Sequence, residues 1–306
     1  MGYLAKMRAR SSVLVECDLC GSRGPFFILA TGGSSNDAFL EQIGVREKPR
    51  TVLCKACGWI FKPLVFSADQ LDQLYTAVGG GNTYSDVDRI HVAAKAERLF
   101  LHIGRFLVNR IPLLPVLDIG GGVGQASLGF ANNGYEVDVS DIVSGSLLHP
   151  RMHAHKGQID SIPSSSQYGV VILSHVLEHV WNPKKVLTRA YELLAPGGAI
   201  YVEVPFELVT PMLLRKTGDI AHVGYFARRT LELFLDYAGF SNVAISLSLE
   251  SYGSRKVVVF KALGRKDNMS HKREIRTLPL HVGWLHLIYD LLSVQQIALT
   301  VSSKLK

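Results

Sequence analysis

Beyond residue 57 the chain contains no cysteine, which removes chemistry that needs a thiolate nucleophile from most of its length. No self-similar period is present either, so a repeat array is excluded. The first residues, MGYLAKMRARSSVLVEC, carry positive charge without an apolar h-region, and no signal peptide is read there. Charge is sparse: Asp, Glu, Lys and Arg make up 19% of the residues against 47% hydrophobic, which is too apolar for a disordered chain and ordinary for a globular one. The balance of +7 favours anionic partners but falls short of the dense basic face of a dedicated nucleic-acid binder. At about 100–200 residues per domain, 306 residues leave room for a large domain and a small one.

The cysteines that are present are concentrated. Cys17-Asp-Leu-Cys20-Gly and Cys54-Lys-Ala-Cys57-Gly each set two thiolates on one tight turn. Together they supply the tetrahedral S4 set that Zn²⁺ accepts, with no open position for catalysis. The expectation is a structural zinc site, with a redox pair and an iron–sulfur cluster as rivals. It assumes a cytoplasmic, reducing setting, where paired cysteines are more often metal ligands than disulfides. The 33 residues between Cys20 and Cys54 call for a hairpin, or a loop around residues 31–36. Residues 59–66 then read as a strand, residues 67–75 as a capped helix, and Gly79, Gly80 and Gly81 as a boundary. The expected division is a zinc-binding domain over 1–80, a main domain over 81–264, and a basic linker with a terminal helix over 265–306.

From residue 88 the pattern changes. A helix over 88–108 is followed by strands at 116–119, 137–141, 170–173 and 199–204, and the runs 243–249 and 256–262 read as an antiparallel pair. Such alternation predicts an α/β fold: a parallel sheet covered by helices, with the ligand crevice at the carboxyl ends of the strands where their order reverses. Asp118-Ile-Gly-Gly-Gly-Val-Gly-Gln125 ends the first strand and is expected to turn into a helix whose N–H groups meet a ligand. A nicotinamide fingerprint requires glycine at the sixth position from Gly120, where Gln125 stands, and Asp118 would repel a pyrophosphate. S-adenosylmethionine, with a sulfonium, an ammonium and no phosphate, suits an acidic neighbour.

Val116-Leu-Asp-Ile-Gly-Gly-Gly-Val-Gly124 resembles the first motif of class I S-adenosylmethionine-dependent methyltransferases, and later segments match in order. The resemblance implies a Rossmann-like seven-stranded sheet beside a small zinc-ribbon-like domain. It implies that Asp118, Gly120, Gly122 and Gly124 form the cofactor turn and that Asp141, ending Gly134-Tyr-Glu-Val-Asp-Val-Ser-Asp141, receives the ribose hydroxyls. Gly157-Gln-Ile-Asp-Ser-Ile-Pro163 resembles the adenine-flanking segment, with Gln158 in place of the usual aspartate and Ile159 beside it. Tyr168 to Val180 resembles the fourth strand and a Leu-Glu-His helix start, placing Ser174 and His175 near the methionine end of the cofactor. Asp118 has a second reading as a helix cap, and Asp138 reads as a solvated neighbour of Asp141. Gly197 and Gly198 read as punctuation before the fifth strand, and residues 225–240 as a late helix ending in Ala-Gly-Phe.

Methyl transfer from a sulfonium is an in-line displacement, and a base is needed only where the acceptor must lose a proton. His179, one helical turn from His175, and His222 are the base candidates, with Tyr225 next in line; each histidine has an alternative role as a loop anchor. His153 and His155 alternate on one face, a placement that suggests a metal, but read as part of a solvated loop. A four-cysteine module before this core resembles bacterial sugar methyltransferases, including C-methyltransferases of nucleotide-linked keto-sugars. In that family a Tyr-His-Glu-His stretch stands where this chain reads Asp219-Ile-Ala-His222, so the acidic partner of the histidine is absent, as is the family's large C-terminal domain. O-methylation of a sugar or glycan hydroxyl is therefore weighed beside C-methylation. An RNA base methyltransferase and a non-catalytic S-adenosylmethionine-binding module are the alternatives. Against RNA, the fourth strand ends in Ser-His-Val-Leu-Glu-His, not Asn-Pro-Pro-aromatic.

The expected partner is a small-molecule or glycan acceptor, nucleotide- or lipid-linked, with nucleic acid disfavoured. Residues 265–276 are basic, and 277–303 pattern as an amphipathic helix too polar to span a bilayer. Packing on its own domain or a sister subunit is the plain reading of that helix. Peripheral contact with the inner face of the membrane is the other.

Overall fold

The computed structural model describes residues 16–31, 37–44, 50–63, 67, 70, 73–74, 86–108, 111–142, 145–207, 222–252 and 255–267. The loop at 32–36, the glycine boundary at 79–81, Tyr75, the stretch 208–221 and the tail from 268 onward, with its expected basic segment and helix, lie outside the described residues.

Seven strands form the main sheet: β4 (Val116–Ile119), β5 (Val137–Asp141), β6 (Met152–Lys156), β7 (Tyr168–Ser174), β8 (Leu194–Pro205), β10 (Ser241–Tyr252) and β11 (Arg255–Arg265). Their order is β10-β11-β8-β7-β4-β5-β6, with β4 to β8 parallel and β11 antiparallel to both of its neighbours. The order reverses beside β4, so β4 and β7 open the crevice at their carboxyl ends. Both faces of the sheet are apolar. Leu117, Val171, Leu173, Ile200 and Val202 point to one core, and Val116, Val170, Ile172, Ala199 and Tyr201 to the other, which is the period-two alternation of a sheet buried on both sides.

Helix α2 (Asp86–Phe106) packs with the short α3 (Leu128–Asn132) on one side. On the other, α4 (Pro183–Leu193) packs with α5 (Arg228–Ala238). Asn182 accepts the Lys185 N–H at 2.6 Å ahead of Pro183, a preformed start for α4. Gly239, at φ 101°, ends α5 in the left-handed conformation.

Two expectations are corrected here. Residues 152–156, read as a solvated loop, form the edge strand β6: His153 pairs with Glu136 at 2.8 Å and His155 with Asp138 at 3.1 Å. The turn at Gly197 and Gly198 is not outside the fifth strand but a bulge within β8, where the partners of Tyr168 and Val170 jump from Leu194 to Ala199.

The N-terminal part adds a second sheet, β1-β2-β3-β9, from β1 (Phe26–Thr31), β2 (Arg50–Cys54), β3 (Ile60–Phe61) and β9 (Gly224–Tyr225), with the short helix α1 (Asp37–Gln42) between β1 and β2. The strand expected over 59–66 is thus described only as the short β3. Ser67 and Gln70 exchange the reciprocal bonds of a capping box, at 2.8 and 3.2 Å, at the start of the expected helix. Because β9 comes from the main domain, the small sheet is completed by residues far along the chain. Among the described residues no helix is long and apolar enough to cross a membrane.

Candidate functional site

At the end of β4 the backbone turns through Gly120, Gly122 and Gly124 at φ of 62°, 57° and 88°, a conformation that other residues adopt only with strain. The helix expected directly after this turn starts only at Leu128, so turn amides and not a helix terminus face the crevice. Gly122 N–H donates to Asp141 Oδ2 at 2.8 Å, and a Cβ at Gly122 would meet nothing within 4 Å. Asp118 lies beneath the turn, 1% exposed, and a Cβ on Gly121 would come within 2.6 Å of its carboxyl carbon. Ser127 Oγ donates to Asp118 Oδ2 at 2.6 Å, while Oδ1 has no partner among the described residues. Burial, with some help from the Asp141 charge, pushes the Asp118 carboxyl up to about 7 against the opposing Ser127 hydrogen bond. One Asp118 oxygen ties Ser127 to the turn and the other is sealed beneath it. An open glycine turn, an acid at the end of β5 and an unpartnered buried carboxylate oxygen fit S-adenosylmethionine.

The raised pKa carries a sign. Folded Asp118 holds its proton between about 4 and 7 where the unfolded chain has lost it, so its contribution to stability falls as pH rises through that window. Asp118→Asn keeps an acceptor for Ser127 and carries no charge. The melting temperature of the variant relative to wild type is expected to rise between pH 5 and pH 8, and a constant difference across that range would contradict the assignment.

Gln158 is exposed at the head of a 3-10 turn, and Ile159 behind it is 5% exposed. Asp138 is not the solvated neighbour expected: it accepts the Tyr168 hydroxyl at 2.7 Å and pairs with His155.

Across the crevice, Ser174 ends β7 in register with Glu203 of β8. His175 follows at φ 56°, a strained position for a non-glycine residue. Its Nδ1 lies 3.2 Å from Glu178 Oε1 and its Nε2 3.3 Å from Glu203 Oε1. Burial opposes a charge on this ring, but hydrogen bonds to the two glutamates and their charges outweigh it and push the pKa up to about 9. Glu203, 1% exposed, also holds Lys95 at 3.0 Å and the Tyr201 hydroxyl. The expected helix start at 177–179 is a turn; α4 begins four residues later. His179 and His175 nonetheless converge on Glu178, with His179 Nε2 3.9 Å from its Oε1. His222 arrives from the other side, its ring 4.6 Å from that of His179 and nearly perpendicular to it. Its Nδ1 lies 2.6 Å from Glu207 Oε2. The acidic partner missing from the sequence around His222 is thus supplied by Glu207, just beyond β8. Glu203 and Glu207 escaped sequence reasoning, and the available signal was two acids interrupting an apolar strand run.

Tyr225, read as next in line after the histidines, is a buried residue of the second sheet. It is 2% exposed on β9, paired with Ile60, with Lys62 Nζ 5.5 Å from its ring centre. Its neighbour Gly224 lies so close to Trp59 that a Cβ would approach the indole to 2.8 Å. This geometry gives Tyr225 a place in the seam between the sheets.

Cys17 and Cys57 Sγ atoms lie 3.5 Å apart and those of Cys20 and Cys54 3.7 Å apart, with all four within 4.8 Å of one another. A tetrahedral ion with Zn–S bonds of about 2.3 Å requires S···S edges of about 3.8 Å, so the set fits zinc. The cluster is joined to the crevice by β3. Lys62, a lysine only 1% exposed, donates from its backbone N–H to Val223 O at 2.8 Å and from Nζ to His222 O at 2.9 Å. The Glu178 carbonyl accepts Val223 N–H at 2.7 Å from the other side. His222 is therefore suspended between the cysteine module and the Glu178 turn. Lys62 was not singled out from sequence, because one lysine beside Pro63 gives no sign that it is buried.

Comparison with known proteins agrees with this architecture. A family model described as a methyltransferase domain matches residues 91–245. Over 97 residues the chain is 33% identical to ubiquinone biosynthesis O-methyltransferase of Azoarcus sp. (strain BH72), covering 28% of this chain and 42% of that protein. It is 24% identical over 207 residues to the highly reducing polyketide synthase tstA of Talaromyces stipitatus, covering 56% of this chain and 8% of that one. The chain thus spans less than half the length of these curated relatives. The crystal structure of Burkholderia thailandensis 1,6-didemethyltoxoflavin-N1-methyltransferase, with bound 1,6-didemethyltoxoflavin and S-adenosylhomocysteine, superposes with a TM-score of 0.50 at 16% identity. It covers 69% of this chain and 96% of that one, a likeness of fold. With a family model matched over half of its residues and the strand order described above, the chain belongs to the methyltransferase-domain family.

Proposed function

We propose that this methyltransferase moves the methyl group of S-adenosylmethionine onto a hydroxyl oxygen, or a carbon, of a sugar or glycan acceptor. The observation that carries the acceptor class is the crevice wall opposite the glycine turn: His175, Glu178, His179, Glu203, Glu207 and His222 are all hydrogen-bonding or ionisable and lie in one connected cluster. A wall of this kind matches a hydroxyl-rich acceptor better than an apolar ring.

S-adenosylmethionine, when bound, supplies a methyl carbon activated by its sulfonium. Asp141 and the turn amides orient the nucleoside, and Asp118 favours positive charge nearby. Much of the remaining work is holding the acceptor in line at attack distance. A carboxylate accepts hydrogen bonds, so Glu207 fixes a hydrogen of His222 on Nδ1 and leaves Nε2 for the acceptor side. Of the base candidates, His222 has this backing, and His179 stands beside it. Cys17, Cys20, Cys54 and Cys57 would hold a structural zinc.

The test is incubation with methyl-labelled S-adenosylmethionine and a panel of nucleotide-linked sugars, free glycans, catechols and RNA. Label is expected in the sugar-containing products. Label confined to catechols or RNA would reject the acceptor class, and absence of S-adenosylhomocysteine binding by calorimetry would reject the enzyme itself.

A further inference from the structure

We propose that Glu178, His179 and His222 form a second metal site, distinct from the four cysteines, which takes a first-row divalent cation at the acceptor side of the crevice. One ligand atom from each of the three lies within 4.8 Å of the other two. Two histidines and one carboxylate are three protein ligands with coordination positions left open, the stoichiometry of reactive metal sites, whereas the cysteine set is closed.

Two independent features point to a cation. Glu178 is 1% exposed; its Oε1 is engaged by His175, while its Oε2 is buried without a hydrogen-bond partner among the described residues. A carboxylate oxygen removed from water and left unpaired is costly, and a bound cation removes that cost. The second feature is the Glu207–His222 contact at 2.6 Å. A metal-ligating histidine characteristically donates its other ring N–H to a carboxylate, which fixes the tautomer and raises the basicity of the ligating nitrogen. Here that arrangement aims Nε2 away from Glu207. Both histidine side chains remain partly accessible, at 30% for His179 and 15% for His222, as a site open to an exchangeable ligand requires.

The mixed nitrogen and oxygen set suits Mn²⁺, Fe²⁺, Co²⁺ or Zn²⁺ better than Ca²⁺ or Mg²⁺. Open positions on such an ion accept oxygens, and two of them would accept adjacent oxygens of one acceptor: neighbouring hydroxyls, or a hydroxyl beside a keto group. This last step rests on the sugar acceptor proposed above; the cation site does not.

The experiment titrates the zinc-loaded full chain with Mn²⁺, read by loss of the free-ion EPR signal and by calorimetry, and counts zinc per chain. Wild type is expected to bind one Mn²⁺, or a second zinc, beyond the ion on the cysteines. His179→Ala is expected to weaken Mn²⁺ binding at least about tenfold, and Glu207→Gln, which leaves all three ligands in place, about 10- to 100-fold. Far-UV circular dichroism and S-adenosylhomocysteine affinity, measured before Mn²⁺ is added, should stay at wild-type values, so that lost metal affinity is not lost folding. Wild-type protein that binds neither Mn²⁺ nor a second zinc overturns the site, as do variants that bind as tightly as wild type. Either result leaves His222 and Glu207 standing as a base pair. Conversely, failure to methylate any sugar rejects the acceptor class without touching the Mn²⁺ titration.

Discussion

With the structural zinc proposed above, replacing Cys54 by Ser is expected to empty the cysteine cluster and to lower turnover about a hundredfold or more, while S-adenosylhomocysteine affinity changes little. Cys54 ends β2, which pairs with β3, and β3 pairs with β9 immediately after His222. The backbone and side chain of Lys62 continue that path to Val223 O and His222 O. Losing the metal loosens the strand from which His222 hangs, and a displacement of about 1 Å at a reacting group costs on the order of a hundredfold. The glycine turn and Asp141 belong to the other side of the crevice and keep their own support. The measurement is zinc content, turnover and calorimetry on the same preparation. Metal loss with turnover intact would show that the two sheets are not coupled. Lys62→Met tests the link alone: the apolar chain fills the same space without the charged donor to His222 O. It should keep its zinc yet lose about 10- to 100-fold in turnover, the size of one hydrogen bond from a charged group.

His222→Ala is expected to lower kcat by about 10²- to 10⁴-fold, the range for a positioned acid–base group, with cofactor affinity unchanged. Glu207→Gln should fall between this variant and wild type, because the amide can hold the ring but also permits the opposite tautomer. Retention of more than a tenth of wild-type turnover by His222→Ala would remove the ring from the reaction. The expectation holds whether the ring acts on the acceptor directly or through a bound cation. His179→Ala, measured beside it, apportions the effect between the two perpendicular rings.

The main sheet was legible because its signals are local. The strands at 116–119 and 137–141 appear with the expected limits, and the final antiparallel pair extends the expected runs at both ends. The edge strand β6 was not legible: on an edge, Arg151, His153 and His155 meet solvent and two acids, Glu136 just before β5 and Asp138 within it, so the segment has the composition of a loop. The candidate site divides the same way. The glycine turn after β4 is one continuous segment, Asp118 to Gly124, and its conformation follows from its composition. The polar cluster is assembled from Lys62, Lys95, the 175–179 turn, Glu203, Glu207 and His222, whose meeting depends on sheet order and on the pairing of β3 with β9. No spacing in the sequence encodes such a meeting. A buried lysine or glutamate looks, in one dimension, like any surface charge.

The shared strand also has a consequence for biosynthesis. The cysteine pairs leave the ribosome well before β9, and Lys62 and His222 are 160 positions apart. At about 5–20 residues per second, the small sheet waits about ten to thirty seconds for its last strand. Over that interval Trp59, which in the finished protein is 1% exposed against Phe226 and Phe234, has neither ring to cover it. Metal capture by the four thiolates can precede translation of the core, whereas burial of the indole cannot. The indole therefore stays uncovered until residue 234 has been made.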